Sequence, residues 1–141
     1  MEIDWKEVLS YAVILIIVLI ASQHLSVVVS GSMEPTFYRG DIVILQKADF
    51  FGIQEFDPNN IEIGDVVVYD ASWYDQPVIH RVINITEING STMYVIKGDN
   101  NKKVDPYYVK ADQIKEKVVT IGDNLVIIPK IGYLSLWLRG L

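Results

Sequence analysis

The sequence predicts a mostly β protein in which one small antiparallel β domain follows a single N-terminal transmembrane helix. Two observations predict this fold class. No Asp, Glu, Lys or Arg occurs between Val8 and Met33. Downstream of that stretch the chain changes to short β-branched runs that are separated by turn residues. The length of 141 residues is enough for one domain with a modest core.

The apolar segment from Trp5 to Leu25 is the predicted membrane helix, because about 20 apolar residues cross a bilayer. A cleavable signal would begin with net positive charge and end on small residues, whereas Lys6 is outnumbered by acidic neighbours and Ile20 is bulky. A domain this small could hardly bury a helix that is apolar all round. We therefore predict a retained anchor over residues 1–25 and a β-rich domain over residues 26–141.

Six short apolar runs, punctuated by glycines and carboxylates, predict the strands of the β domain. Residues 50–60 are predicted to form a loop. The predicted strands are Val27–Val29, Ile42–Leu45, Val66–Tyr69, Val78–Ile85, Met93–Ile96 and Val118–Ile121.

Asn89-Gly90 is the strongest turn signal, because both residues tolerate the positive φ of a type I′ turn. A two-residue turn fixes the register of the hairpin around it. This register places the histidine outside the membrane segment beside a carboxylate, unless a bulge near Gly98 shifts it. The predicted facing pairs are Ile88–Ser91, Ile85–Tyr94, Ile83–Ile96, Val82–Lys97 and His80–Asp99.

Composition excludes several classes of function. The net charge is −6, and the longest basic run is Lys102-Lys103, so nucleic-acid binding is not expected. The absence of cysteine excludes disulfides, thiolate metal sites and cysteine nucleophiles. With only His24 and His80 present, we predict no histidine-rich metal site and no cofactor. His24 lies at the edge of the membrane segment and is interpreted as an interfacial residue without a functional role.

The segment SGSMEPT, residues 30–36, could present a nucleophile. Gly31 lets the chain turn closely before Ser32, and Pro35 restricts the backbone after it. A serine hydroxyl needs a base and oxyanion donors, and the Ser32 N–H with the Ser30 hydroxyl could supply the donors. An ordinary Ser/Gly/Pro turn has the same composition, so this segment alone does not decide between the two.

Four motifs occur in order behind the apolar segment: SGSMEPT at 30–36, GDVVVY at 64–69, HRV at 80–82 and GDNN at 98–101. Together they resemble the sequence boxes of signal peptidase I. Bacterial members carry a lysine before the arginine of the third box. This sequence has His80-Arg81 there, so it resembles the archaeal and endoplasmic-reticulum branch, which uses Ser, His and Asp.

The resemblance implies a β domain of the signal peptidase type and a role for each site residue. Ser32 would be the nucleophile, His80 the general base and Ser30 the second oxyanion donor. The hairpin register favours Asp99 as the neighbour of His80, whereas the family's Ser–His branch favours the second acidic position, Asp105. We predict Asp105 as the acid that orients His80, with Asp99 essential nearby.

Other interpretations stay open from the sequence. Lys97 is an alternative base if it is desolvated. A non-catalytic, membrane-tethered β module that binds secreted chains is a second alternative. Arg81 is interpreted as the partner of a carboxylate that supports the site. The apolar stretch Ile131–Leu138 is too short to span a bilayer. It would either pack on the domain or dip into the membrane surface through Tyr133, Leu136 and Trp137.

The resemblance implies a membrane-bound serine endopeptidase that removes signal peptides from exported preproteins through an acyl-enzyme. The implied partners are signal peptides, the lipid bilayer and the protein-export channel. The implied location is the cell membrane, with one span and an extracytoplasmic catalytic domain, although the charges that flank the span do not decide its orientation. The few residues between Leu25 and Ser32 would hold the nucleophile within about 25 Å of the membrane.

Overall fold

The computed structural model describes residues 1–129 and 133–140, and for residues 133–135 it describes the backbone alone. It begins with helix α1, Trp5–Gln23, none of whose residues is buried. The Asp4 side chain caps the helix by accepting a hydrogen bond from the Lys6 N–H at 3.0 Å. Helix α1 is long and apolar enough to cross a membrane. It ends before the predicted residue Leu25 because that residue already begins a strand.

The described residues after α1 form ten strands, a 3₁₀ turn at Ala111–Gln113 and the short helix α2, Tyr133–Leu138. The strands are β1 (Leu25–Val27), β2 (Ile42–Lys47), β3 (Val66–Tyr69), β4 (Val78–Ile88), β5 (Ser91–Lys97), β6 (Val109–Lys110), β7 (Ile114–Val118), β8 (Thr120–Ile121), β9 (Asn124–Leu125) and β10 (Ile127–Ile128).

All strand pairs are antiparallel, which confirms the predicted fold class. The main sheet has the order β1-β2-β7-β3-β4-β5-β6, with β10 added on β2. Strands β8 and β9 form a separate hairpin. The two-residue strands β6, β9 and β10 were not predicted, because two residues are too few to show an alternating pattern. The predicted strand Val118–Ile121 is divided between the end of β7 and β8, and residues 114–117 of β7 were not predicted.

The hairpin β4–β5 turns at Asn89-Gly90, with φ values of 53° and 77°. Both residues have the positive φ that a type I′ turn requires. The structure confirms the predicted pairs nearest the turn, Ile88–Ser91 and Ile85–Tyr94.

A β-bulge between Val82 and Asn84 shifts the remainder of the hairpin by one residue. Val82 faces Ile96, and Arg81 faces Lys97. The extra residue is Ile83, which has no partner in the ladder. The predicted pairs beyond this point, Ile83–Ile96, Val82–Lys97 and His80–Asp99, are therefore wrong.

Two apolar clusters form the core. One lies under β3, β4 and β5 and includes the fully buried Tyr69 and Tyr94. The other contains Met33 and Phe37, both 1% exposed, packed with residues of β2, β3 and β7. This second cluster anchors the segment that carries Ser32, because the buried Met33 is the residue directly after Ser32.

The C-terminal segment has a mixed environment. Leu136 is 1% exposed and belongs to the buried set, whereas Trp137 and Leu138 are 74% and 71% exposed. Helix α2 thus has one buried and two exposed apolar side chains among its residues 136–138. The predicted contact through Tyr133, and the position of Ile131, lie outside the described side chains and residues.

Candidate active site

The SGSMEPT segment leaves β1 and folds into a tight turn. The Glu34 N–H donates to the Gly31 carbonyl at 3.2 Å, and the Glu34–Pro35 peptide bond is cis. A Cβ on Gly31 would lie 3.1 Å from the Glu34 carboxylate. With Met33 buried below it, Ser32 stands half-buried at the top of this turn.

Ser32, His80 and Asp105 form a continuous chain of hydrogen-bonding groups. The Ser32 Oγ lies 3.1 Å from Nε2 of His80. On the other side of the ring, Nδ1 of His80 lies 2.9 and 2.8 Å from the two carboxylate oxygens of Asp105. His80 and Asp105 are 5% and 7% exposed, so the contact is largely shielded from water. Because a carboxylate only accepts, Nδ1 carries the hydrogen and Nε2 is free to accept the serine proton.

Asp105 has two further partners. The Tyr69 hydroxyl donates to its Oδ2 at 2.6 Å, and the Asp105 N–H donates to the Ile96 carbonyl at 2.8 Å. The pKa of Tyr69 is raised far above its ordinary value. The largest cause is burial of the hydroxyl, and the second is its hydrogen bond to the negative Asp105 carboxylate. Tyr69 therefore stays a donor and leaves the other lone pairs of Asp105 to His80. Tyr69 was not predicted as a site residue. The one indication in the sequence is its position at the end of the GDVVVY motif.

Asp99 does not contact His80 and is part of a different contact. Its carboxylate accepts two hydrogen bonds from the Arg81 guanidinium, at 2.9 and 2.8 Å, and one from the Thr36 hydroxyl. Partial burial raises the pKa of Asp99, but the bonds from Arg81 and Thr36 outweigh it, so the pKa lies below its ordinary value. The bidentate partner in turn raises the pKa of Arg81.

This arrangement gives Asp99 a positioning role between three segments. The Arg81 guanidinium also donates to the Gly64 carbonyl at 2.8 Å. Arg81 thus joins the GDVVVY motif to the GDNN motif. The Thr36 hydroxyl joins the SGSMEPT segment to the GDNN motif through Asp99. The pairing of Arg81 with a carboxylate is the contact that the sequence suggested for it.

Residues 98–101 contact the turn that carries Ser32 from the other side. The Asn100 N–H donates to the Ser32 carbonyl at 2.8 Å, and its side-chain amide donates to the Gly31 carbonyl at 2.9 Å. Gly98 passes so close that a Cβ there would lie 2.7 Å from the Ser32 carbonyl oxygen and 3.0 Å from Nε2 of His80. Only glycine fits this position without displacement. These contacts of Gly98 and Asn100 were not predicted, because they join segments that are distant in the sequence.

The two other predicted polar groups are also located. The Ser30 Oγ lies 3.1 Å from the Ser32 Oγ, on the exposed side of the turn. The Lys97 ammonium donates to the Gly98 carbonyl at 3.2 Å. Among the described residues, the side-chain groups in hydrogen-bond contact with the Ser32 hydroxyl are those of Ser30 and His80.

A cleft of about 530 Å³ opens at Ser32 and His80. One wall is the extended segment from Ser26 to Ser30, and another is the start of β4 with the loop before it. The lining is mainly apolar and aromatic, and it also includes Ser32 and His80. Its apolar and aromatic residues include Val28, Met33, Phe37, Val68, Trp73 and Ile79.

His24 pairs with an acidic side chain at the end of α1. Nε2 of His24 lies 2.9 Å from the Glu55 carboxylate, and Nδ1 lies 2.8 Å from the Ile20 carbonyl. Within residues 1–129 and 133–140, no group of three His, Asp or Glu side chains could hold a metal ion.

The site has the form of a Ser–His–Asp triad on an antiparallel β domain, which is the arrangement of serine hydrolases. Comparison with known families agrees with this class. The family described as signal peptidase, peptidase S26, matches residues 3–125 of the chain. The chain therefore belongs to the signal peptidase family and is a hydrolase of that type.

Several proteins are similar over most of the chain. An uncharacterized protein of Methanocaldococcus jannaschii is 32% identical, with 89% of this chain and 88% of that protein covered. The signal peptidase complex catalytic subunit SEC11 of Lachancea thermotolerans is 38% identical, over 79% of this chain and 64% of its own length. The SEC11 of Clavispora lusitaniae is 34% identical, over 85% of this chain and 69% of its own length.

Proposed function

We propose that the protein is a membrane-anchored serine endopeptidase that removes signal peptides from exported preproteins through an acyl-enzyme. The observation that supports this most strongly is the contact of the Ser32 hydroxyl with His80, whose other nitrogen lies on Asp105. Family membership and the SEC11 relatives support the substrate class.

In the first step, His80 takes the proton of Ser32 at Nε2 while the serine oxygen attacks the carbonyl carbon of the scissile bond. Asp105 keeps the hydrogen on Nδ1 and stabilises the positive imidazolium that forms. Tyr69 holds the Asp105 carboxylate in place for this interaction. The carbonyl oxygen becomes an oxyanion, for which the Ser32 N–H and the Ser30 hydroxyl are the proposed donors.

Collapse of the tetrahedral intermediate breaks the peptide C–N bond, and the imidazolium of His80 gives its proton to the departing amine. The acyl group then sits on Ser32 as an ester. Water attacks this ester with His80 again as the base, which releases the acyl fragment and restores the free hydroxyl. Each of these proton transfers uses side chains of this chain alone.

The cleft is the proposed binding site for the residues before the cut. A peptide that lies extended between Ser26–Ser30 and the start of β4 would place its carbonyl at Ser32. Met33 and Phe37 are bulky lining residues, so the remaining space close to Ser32 and His80 suits small side chains. Signal peptides end on small residues, which fits this site.

The anchor places this chemistry at the membrane. We propose that residues 1–25 cross the cell membrane once and that residues 26–141 form an extracytoplasmic peptidase domain. The seven steps of chain from Leu25 to Ser32 cover at most about 25 Å. A signal peptide is cleaved just beyond its own apolar segment, so enzyme and substrate meet at one depth. The protein-export channel is the proposed source of the substrate.

Cleavage of a labelled preprotein by the full chain in lipid vesicles tests the proposal. Ser32→Ala should abolish processing, because it removes the atom that forms the ester. Ser91→Ala is the matched control, since Ser91 is an exposed serine at the turn of the β4–β5 hairpin. Processing by Ser32→Ala at the rate of the control would refute the proposal.

A further inference from the structure

The turn from Phe50 to Ile53 presents two apolar side chains that no part of the described domain covers. Phe51 is 85% exposed and Ile53 is 62% exposed. The turn itself is well formed: the Phe50 and Ile53 backbones exchange two hydrogen bonds of 2.8 and 2.9 Å. The Asp49 carboxylate accepts a further bond from the Gly52 N–H at 2.7 Å.

Phenylalanine is an unfavourable residue type for the backbone conformation at position 51. Its φ is 50°, in the left-handed region where glycine and asparagine are favoured and other side chains cost free energy. Its ring also gains little from burial in the domain. An aromatic side chain that is both strained and exposed stabilises the described structure little, so its contribution is expected to come from contact outside the chain.

This turn lies against the end of helix α1. The rings of His24 and Phe50 are 4.7 Å apart, and those of Phe50 and Phe51 are 4.9 Å apart. His24 is held in turn by Glu55 at 2.9 Å, and its carbonyl accepts a hydrogen bond from the Leu45 N–H at 2.7 Å. The helix end and the turn are therefore fixed relative to each other.

The length of α1 places its end near the membrane surface. The 19 residues span about 28 Å, close to the hydrocarbon thickness of about 30 Å. The turn beside its last residue then lies in the headgroup region, where aromatic side chains are enriched. No charged residue occurs from Phe50 to Gln54, and both flanking carboxylates are hydrogen-bonded, Asp49 to the Gly52 N–H and Glu55 to the His24 ring.

A second loop with exposed aromatic residues leaves the same end of the sheet. Lys47, at the end of β2, pairs with Glu116, and Glu116 pairs with Val68. Strand β3 ends one residue later, and the loop that follows it carries Trp73 and Tyr74, which are 37% and 53% exposed. These two loops thus place exposed aromatic side chains at the end of the sheet where the membrane helix joins the domain.

We propose that the turn of residues 50–53 inserts Phe51 and Ile53 into the headgroup region of the bilayer that α1 crosses. This second contact fixes the tilt of the domain and the height of the cleft above the membrane. The proposal goes beyond peptide cleavage and depends on α1 as the anchor. It does not depend on the chemistry of Ser32, so activity and membrane contact are measured separately.

The chain has no cysteine, so single cysteines report on single positions. Phe51→Cys, Leu15→Cys and Ser91→Cys, each carrying an environment-sensitive fluorophore, are placed in phosphatidylcholine vesicles that contain no other protein. Leu15 is in the middle of α1. Ser91 pairs with Ile88 at the far end of β4, and Ile88 lies nine residues, or about 30 Å, along the strand from Ile79. Labels at Phe51 and Leu15 should show blue-shifted emission and quenching by nitroxide lipids, whereas the label at Ser91 should show neither.

Phe51→Asn separates membrane contact from folding, because asparagine accepts the left-handed φ without its usual cost. This variant should keep or raise the midpoint of thermal unfolding in detergent. A label at Gln54→Cys should be blue-shifted in the parent chain and lose much of that shift when Phe51→Asn is added. An unchanged shift at Gln54 would overturn the role of Phe51.

Two other outcomes overturn the membrane contact. A Phe51 label that behaves like the Ser91 label shows that the turn stays in water, whether or not the Leu15 label is quenched. A Phe51 label that is exposed in pure lipid vesicles and shielded only in native membranes shows that a protein partner, and not lipid, covers the turn.

Discussion

Gly98→Ala should impair catalysis without unfolding the domain. The new methyl group would lie 2.6 Å from the Asn101 amide nitrogen, 2.7 Å from the Ser32 carbonyl oxygen and 3.0 Å from Nε2 of His80. An ordinary van der Waals contact begins at 3.4 Å. The Asn101 side chain can rotate away, but the Ser32 carbonyl is backbone and also accepts the Asn100 N–H.

The size of the effect follows from the required displacement. Moving the Ser32 carbonyl from 2.7 to 3.4 Å is a shift of 0.7 Å in the backbone that carries the Ser32 hydroxyl, the proposed nucleophile. A misplacement of about 1 Å at a reacting group costs on the order of 10²-fold in rate. We therefore expect kcat/KM for preprotein cleavage to fall about 30- to 100-fold, which corresponds to about 2–3 kcal/mol of transition-state stabilisation.

Gly122→Ala is the matched control for this substitution. Gly122 has a φ of 62° and no atom within 4 Å of an added Cβ, so alanine there is strained but does not clash. We expect Gly122→Ala to lower the free energy of unfolding by about 1 kcal/mol and to leave the cleavage rate of the folded enzyme unchanged. If Gly98→Ala cleaves as fast as the parent chain, the close packing of Gly98 on Ser32 is not required for catalysis.

Three further substitutions test the groups around the triad. Asp99→Asn should destabilise the chain by about 2 kcal/mol at pH 6, because it leaves Arg81 without its ionic partner. The lowered pKa of Asp99 means that this contribution is present above its ordinary pKa and is lost as the pH falls below it. The gap in denaturant midpoint between variant and parent should therefore close from about pH 4 downward. Tyr69→Phe should lower the free energy of unfolding, measured by thermal unfolding, by about 2 kcal/mol and should lower kcat about tenfold, because Asp105 loses a hydrogen-bond donor. Ser30→Ala should lower kcat about 10²-fold with little change in KM, as loss of an oxyanion donor does.

A different result would contradict the expectation for each of these three variants. A stability gap for Asp99→Asn that stays constant from pH 6 to pH 3 would show that its ion pair with Arg81 is not what the variant loses. A Tyr69→Phe enzyme with parental kcat would remove Tyr69 from the support of Asp105. An increase in KM alone for Ser30→Ala would make Ser30 a substrate contact and not an oxyanion donor.

The features that the sequence predicted well are those that local composition controls. Helix α1 was predicted within two residues, because the uncharged apolar stretch is long enough for one interpretation only. Strand β3 has the predicted bounds, Val66–Tyr69, and the Asn89-Gly90 turn forms with the expected φ values. The backbone preferences of these residues act over one turn or strand, so no distant partner is needed to specify them.

The features that were missed depend on contacts between distant segments. The bulge at Ile83 moved the register by one residue, so the local argument for Asp99 beside His80 failed. Asp105 reaches His80 because the chain after the GDNN motif returns across β5, where the Asp105 N–H bonds the Ile96 carbonyl. Composition carries no information about this return, and only the family resemblance favoured Asp105 as the acid.

The proposed activation of Ser32 by His80 is tested by the rates at which His80→Ala and Lys97→Ala cleave one preprotein in vesicles. We expect His80→Ala to lose at least about 10³-fold in kcat, because no other described side chain is placed to take the serine proton. Lys97→Ala should stay within about twofold of the parent, since the Lys97 ammonium bonds the Gly98 carbonyl and not Ser32. Near-parental cleavage by His80→Ala, together with loss of cleavage by Lys97→Ala, would contradict the account.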